Sequence, residues 1–438
     1  MSQQIKLRFT NDEISSWGGL SLLKKMLDQS GFINYLQTLP LPQQGSNRGY
    51  SPVQLFIQFM ASVWCGANRY AHLDVTRFDY SIQRLFNWKR MPEHKAFQRY
   101  FNKFDVSITQ NVFGGLYRWF FKQLKFDNFT MDIDSSILTR YGVQQGARKG
   151  YNTQKPGRNS QHPIIAFVSD VEFIANFWLR SGDAHTANNF KAFLEETLEF
   201  VADKKIGLLR LDSGFYSKDI FKYLEQREEP IHYITAVPMY STIQQAIAQN
   251  STWMHIDKGI DIIEFEYKAN EWIMPRRMVA VRQKIKQRPK AVGKQLLLFK
   301  EDFELSNYRY SCYITNLSLP AAEIWRLYRG RANCENRIKE LKYDYGLDKM
   351  NEQSFNATEA SLILMTIAYN FMSLFKQLII AGNVRNRLAT LRYKLLAIPS
   401  IIKNSENSVI VNMALQMNRR IWIKKLWDKT ENIYINDS

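Results

Sequence analysis

The chain has 438 residues, 45% of them hydrophobic, with 59 Lys plus Arg against 41 Asp plus Glu and a formal charge of +18. Those figures exclude a short disulfide scaffold and a disordered tail, and allow one large core or two to four smaller ones. The positive excess, together with 14% aromatic residues, favours a polyanionic partner. Cys65, Cys312 and Cys334 stand far apart, with no CxxC pair, which argues against a structural zinc site and suits a reducing cytoplasm. The N-terminal MSQQIKLRFTNDE is polar and lacks a signal-peptide core. Ala360 to Phe375 is nearly uncharged but short for a bilayer and contains Asn370, so a buried helix is expected and no membrane.

Residues 1 to about 125 read as helical. Ser21, Leu22 and Leu23 open one amphipathic run, and Pro52 to Trp64 forms another. From Arg69 to Lys103 basic and aromatic residues interleave, among them Arg77, Phe78, Arg84, Trp88 and Arg90. Such a pattern suits a surface that grips phosphates, and equally an ordinary amphipathic bundle.

At Phe129 the pattern becomes that of a strand. FTMDIDSS alternates, with Met131 and Ile133 on one face and Asp132 and Asp134 on the other. A polar loop from Arg140 to Gln161 follows, then strands over His162–Val168 and Ile174–Leu179. Phe190, Phe193, Leu194, Leu198 and Val201 recur at helical spacing. IGLLRLD, residues 206–212, reads as a buried strand, Lys218–Glu225 as a helix and His232–Val237 as a strand. The first three strands are expected to form antiparallel hairpins. The last two, reached through helices, are expected to pair in parallel.

Residues 238–318 read as β-rich, with IDIIEFEY, MVAVRQ, QLLLF and YRYSCYIT around the basic segment Arg282 to Lys294. A helix is expected from Pro320 past Lys342, and residues 355–438 are expected to be helical and basic, with Arg385, Arg392, Arg419 and Lys424.

Three carboxylates occupy informative places. Asp134 lies near the end of the first strand and Asp212 closes the LLRLD strand, where a side chain can face a cleft. Glu335 sits in the helix after the β-rich block. On one continuous helix Tyr328, Arg331, Glu335 and Lys342, at offsets 0, 3, 7 and 14, would share an arc of roughly 60°. An i, i+4 Arg331–Glu335 pair on a solvated face is the plainer account of that stripe.

The spacing Tyr-x2-Arg-x3-Glu-x6-Lys resembles the YREK signature of insertion-sequence DDE transposases. MDIDSS and LRLDSGF resemble the strands that carry that family's first and second Asp. The resemblance covers about residues 125–350 well and the flanks more loosely. It implies an α/β fold with an RNase H-like mixed-sheet core. The expected layout is a helical DNA-binding region over 1–125, the core over 126–237, a β-rich insertion over 238–318, the Glu-bearing helix over 319–355 and a helical basic region over 356–438.

The implied catalytic and metal-holding residues are Asp134, Asp212 and Glu335. Asp132 and Asp134 point the same way and either could be the ligand, but members of the resembled family place the catalytic Asp directly before small hydroxyl residues, which favours Asp134, followed by Ser135 and Ser136. Two Mg²⁺ ions, replaceable by Mn²⁺, would serve in-line displacement at phosphorus. Arg331 and Lys342 would hold phosphates, and Tyr328 would contact the phosphate beside an extruded base, for which Tyr308, Tyr310 and Trp272 are candidate platforms. Arg148, Lys149, Lys155 and Arg158 could clamp DNA from the 140–161 loop, which also reads as a plain solvated loop. His185 and Asn188 read as helix caps.

The implied partners are double-stranded DNA, as the element's own terminal inverted repeats and target, and a second copy of the chain. The implied setting is the nucleoid of a prokaryotic cytoplasm, and the route is cut-and-paste through a hairpin end. Two other readings fit less of the sequence. A resolvase-type nuclease would prefer branched DNA, and a domesticated, inactive DNA-binding protein would never nick it.

Overall fold

The computed structural model describes residues 5–153, 155–285, 308–382, 386–406 and 408–433. QLLLF, the basic segment from position 286 to Lys294, and Arg385 lie outside them. The chain divides into two compact units. One comprises Lys125–Thr139 and Arg148–Arg337, the other Met1–Leu124, Arg140–Ala147 and Ile338–Ser438.

The first of these units is built on a nine-stranded mixed sheet. Its strands are β1 (Phe129–Ser135), β2 (Ile164–Val168), β3 (Phe173–Trp178), β4 (Ile206–Leu211), β5 (Tyr233–Ala236), β6 (Met254–Asp257), β7 (Ile260–Tyr267), β8 (Arg276–Lys284) and β9 (Tyr308–Thr315). Its helices are α1 (Phe190–Val201), α2 (Lys218–Glu225), α3 (Ser241–Gln249), α4 (Ala321–Arg329) and α5 (Ala332–Tyr343), the last of which runs past the unit's final residue. The spatial order is β6-β7-β8-β9-β5-β4-β1-β2-β3.

As the sequence suggests, β1, β2 and β3 pair antiparallel, and β4 and β5, entered through α1 and α2, run parallel to β1 and to each other. The β-rich block continues this sheet, because β9 pairs antiparallel with β5 and carries β8, β7 and β6 behind it. The short helix α3 inside that block, with Ile243 and Ile247 buried one turn apart, is an element that alternation-based reading passes over.

Helix α4 starts where Pro320 stands at the N-cap, has Glu323 in its first turn and Arg326 and Arg329 in its last, each sign matching the helix dipole. Its apolar stripe lies on the sheet. Ala321 and Ile324 are buried with Leu208, Ile234, Ile262, Val279 and Val281, and Trp325, Leu327 and Tyr328 pack at the margin. Each fully buried Ile, Leu or Val of this set contributes about 1.5–3 kcal/mol over its exposed state, and Ala321 less.

The expected single helix over 320–342 is two. Gly330 and Arg331 form a turn between α4 and α5, so the four residues of the Tyr-Arg-Glu-Lys stripe do not share one straight helix face. The 140–161 loop also carries structure: Arg148–Lys149 and Leu138–Thr139 pair on either side of Asn159–Gln161.

The other unit is helical, with Leu20–Gln29, Phe32–Thr38, Pro52–Trp64, His94–Phe101, Val106–Lys122, Phe355–Phe375 and Met417–Glu431 as principal helices. The apolar helix Phe355–Phe375 is its core, as the composition of Ala360–Phe375 suggests. Tyr117 hydrogen-bonds Thr366, Trp64 donates to the Ala368 carbonyl at 3.0 Å, and Phe371 meets Phe32 edge-on. The C-terminal region is not all helical. Ser400–Ser405 and Ser408–Met413 form a hairpin, and Ile14–Ser15 joins it as a third strand.

Candidate active site

Strands β1 and β4 are adjacent and parallel, so their C-terminal ends open at the same edge of the sheet. Asp132 is in register with Arg210, and Ile133 with Leu211. Asp134 and Asp212 therefore follow side by side, one residue beyond the last registered pair. Asp134 Oδ1 accepts from the Ser135 amide at 2.8 Å, and Asp212 Oδ1 accepts from the Gly214 amide at 3.0 Å, opening the turn Ser213–Phe215. Gly214 is tied to this place by crowding, since a Cβ there would stand 2.8 Å from Thr186.

The α4–α5 turn supplies the remaining members. Arg331, 7% exposed, places Nη2 2.8 Å from Asp134 Oδ2, as an ion pair outside hydrogen-bond alignment, and Nη1 3.9 Å from Glu335. Glu335, in the first turn of α5, is the exposed member. Two hydrogen bonds fasten the turn to the end of β4. Arg210 Nη1 donates to the Leu327 carbonyl at 2.7 Å, and Tyr328 Oη donates to the Leu211 carbonyl at 3.2 Å.

Of the two aspartates on β1, Asp134 is the one that joins this group. Asp132 is fully buried and held by Arg210 Nε and Nη2 at 2.6 and 2.8 Å and by Ser169 Oγ at 2.6 Å. Arg210 and Ser169 escape a motif-based reading. The available signal is a lone arginine inside the apolar run LLRL, which demands a buried counter-charge.

The electrostatics follow from three carboxylates facing one guanidinium. Burial pushes Asp134 up to about 7, against the pull of Arg331 and with the push of Asp212 and Glu335. Asp212 is raised by burial as well. Arg331 is held cationic by Asp134 despite its own burial. Among the described residues no three His, Cys, Asp or Glu side chains converge closely enough to hold one ion by themselves. The donor set is nevertheless hard oxygen with surplus negative charge, which fits Mg²⁺ or Mn²⁺ rather than a soft metal.

The other sequence candidates are placed variously. Tyr328 packs against Tyr313 with the rings tilted and their centroids 4.5 Å apart, and burial raises its phenol. Lys342 lies in the last turn of α5 and is half-buried. Arg148, Lys149, Lys155 and Arg158 are exposed, with Arg148 3.4 Å from Asp183. His185 and Asn188 do not stand at the N-cap of α1; Asn189 does, in a left-handed conformation and without a side-chain capping hydrogen bond. Arg180 instead holds that loop, donating to the carbonyls of His185, Thr186 and Asn188.

Trp272 is buried among Tyr216, Phe221 and Tyr267. Tyr308 and Tyr310 are half-buried beside Arg282 and Trp253, with the Arg282 guanidinium 4.5 Å from the Trp253 ring and 4.7 Å from Tyr308.

The sequence matches the family model described as transposase DDE domain group 1 over residues 1–433. The chain belongs to that family. It is thus a DDE-type transposase, and transposases of this kind generally use divalent metal ions. Among solved structures it is similar to a piggyBac transposase synaptic complex with hairpin DNA, determined by cryo-EM, at 11% identity and a TM-score of 0.46 over 96% of this chain and 85% of that one. No curated protein matches the chain.

Proposed function

We propose that this transposase cleaves and rejoins DNA at Asp134, Asp212 and Glu335, on an RNase H-like core. The observation that carries the reading is the pair of aspartates at the adjacent ends of parallel β1 and β4, electrostatically coupled to Glu335, with Arg331 reaching from Asp134 towards Glu335. An antiparallel three-strand meander followed by two parallel strands is the order such a core has, which supports the fold reading.

Asp134 and Asp212, with Glu335 from α5, would hold divalent cations, Mg²⁺ or Mn²⁺. Cations bound there supply charge to activate the attacking oxygen and stabilise the leaving one. The protein's own contribution is orientation. Asp212 is fixed by the Gly214 amide, and Arg331, with a permanent charge and a planar fork, suits a phosphate beside the cut. The Tyr328, Arg331, Glu335 and Lys342 spacing supports an insertion-sequence element moved by cut-and-paste through hairpin ends.

The natural substrates would be the element's terminal inverted repeats and a target duplex, handled by a dimer at the prokaryotic nucleoid. The charge of +18 and the exposed Arg148, Lys149, Lys155 and Arg158 support DNA as partner.

The test is Mg²⁺-dependent cleavage of a duplex made from the sequences that flank the coding region. Wild type is compared with Asp134→Ala, Asp212→Ala and Glu335→Ala. Wild type should cut at the element boundary, with a hairpin among the products, while the variants bind and do not cut. Cutting by all three variants at the wild-type rate would overturn the assignment.

A further inference from the structure

The turn at Gly330–Arg331, which leads into the first turn of α5 and Glu335, is held from behind by Arg210 on one side and Arg337 on the other. Arg210 is buried and spends every arm of its guanidinium. Nε and Nη2 donate to Asp132, Nη2 also to Ser169 Oγ at 2.9 Å, and Nη1 to the Leu327 carbonyl at the end of α4. Ser169 is gripped twice, because its carbonyl accepts from Arg337 Nη2 at 3.2 Å, and Arg337 lies on α5, two residues beyond Glu335. Arg337 is buried as well and stands 3.6 Å from Glu172. One arginine thus ties down the helix before the turn, another the helix after it, and both close on the same serine of the β2–β3 turn.

Gly330 shows how tight the fit is. Its backbone is right-handed helical, at φ −57° and ψ −20°, a conformation every residue adopts readily. Yet a Cβ at this position would stand 2.4 Å from Arg210 Nη1. That nitrogen cannot swing aside without giving up the Leu327 carbonyl, and the rest of the guanidinium is fixed by Asp132 and Ser169.

We propose that Arg210, with Asp132 and Ser169 behind it, is a positioning residue for strand cleavage: it sets the Gly330–Arg331 turn and thereby delivers Arg331 and Glu335 to the aspartates. The proposal rests on the carboxylate reading of the site given above. Misplacement of reacting groups by about 1 Å from a distant substitution costs on the order of 100-fold in rate.

The decisive variant is Gly330→Ala, which keeps every charged side chain, adds one methyl group against Arg210 Nη1 and, on helix propensity alone, is neutral or stabilising. Full-length wild type, Gly330→Ala, Arg210→Lys and Glu335→Gln are compared on the flanking-sequence duplex with Mg²⁺, measuring kcat, KM for DNA and Tm. Arg210→Lys keeps the charge beside Asp132 and loses the fork that reaches Leu327.

The expected result is a kcat about 100-fold lower for Gly330→Ala, a comparable loss for Arg210→Lys, KM within about twofold of wild type, and a Tm for Gly330→Ala lowered by a few degrees, as overpacking demands, with the protein still fully folded at the assay temperature. Wild-type kcat in Gly330→Ala while Glu335→Gln is dead would overturn the positioning role and leave the carboxylate reading intact. A kcat loss that appears only at temperatures where the variant is partly unfolded, or only as a fall in DNA affinity, would also overturn it. An active Glu335→Gln would instead sink the carboxylate reading itself.

Discussion

Asp132 and Arg210 are cross-strand partners on β1 and β4, joined by two parallel N–H···O bonds of 2.6 and 2.8 Å. Two residues further along each strand stand Asp134 and Asp212, so one pair of neighbouring strands carries a satisfied opposite-charge pair in its interior and a like-charge pair at its end. The first arrangement stabilises a sheet and the second strains it. The two pairs should therefore respond oppositely to substitution.

Asp132→Ala leaves the buried Arg210 guanidinium without its counter-charge. Breaking one partner of a buried pair costs about 3–5 kcal/mol. Urea denaturation should show a lower midpoint with little change in slope. A loss under about 1 kcal/mol would mean that water reaches the site and that the pair is not structural.

At the strand ends the sign reverses. Asp134 ordinarily titrates near 3.8 and is pushed up to about 7, chiefly by burial. A carboxyl that holds its proton more tightly when folded gives stability that is present at low pH and lost as pH rises between those two values. Asp212, raised in the same direction, adds to this. In chelator, the Tm of wild type should fall from pH 5 to pH 8 relative to Asp134→Asn, which cannot ionise. Asp134→Asn should be at least as stable as wild type at pH 8. Parallel Tm–pH curves for the two proteins would refute the assignment of the strain to Asp134.

How much of this was legible beforehand depends on the range of the interaction. Alternation in FTMDIDSS and the apolar run IGLLRLD revealed β1 and β4, because a strand's period is local. The parallel pairing followed from the helices between strands. Strand periodicity did not separate Asp134 from Asp132, and Asp134 was favoured only through the serines that follow it and the family they resemble. Both point to the same face, and only Arg210, nearly eighty residues away in sequence, separates a structural aspartate from one at the open edge. The break at Gly330–Arg331 was marked only by one glycine in an otherwise helix-compatible run, which a helix tolerates at a cost of about 1 kcal/mol, and the turn is set by Arg210 against Gly330 and by Tyr328 against Leu211. The β-rich block was visible as strands, but its continuation of the main sheet through β9 and β5 is a long-range pairing that alternation does not encode.

Metal binding should relieve the same strain. A ligand that binds only the folded state stabilises by about 2.7 kcal/mol at a hundred times its Kd. Mg²⁺ should therefore raise the Tm of wild type and leave Asp134→Asn and Asp212→Asn nearly unmoved. The rise should be larger at pH 8 than at pH 6, because protons compete for Asp134 below about 7. An equal rise in all three proteins would place the ion elsewhere.

The aromatic residues of the β6–β9 block separate into two kinds, and substitution should tell them apart. Trp272 is enclosed by Tyr216, Phe221 and Tyr267 and lies 4.8 Å from the Arg276 guanidinium, which is itself held by Glu225. Trp272→Ala should cost about 3–5 kcal/mol of stability, as large aromatic truncations in a core do. Trp253 and Tyr308 flank Arg282 and are half-buried, so Trp253→Ala should cost no more than about 1 kcal/mol, the scale of a cation–π contact at such a site. If this cluster stacks a base drawn out of the DNA end, Trp253→Ala should weaken binding of a duplex with an unpaired terminal base by about 1–3 kcal/mol. It should also quench the fluorescence rise of a 2-aminopurine placed at that base, while a fully paired duplex binds as before. Equal effects on both duplexes would reduce Trp253 to a general contact and remove the cluster as a base platform.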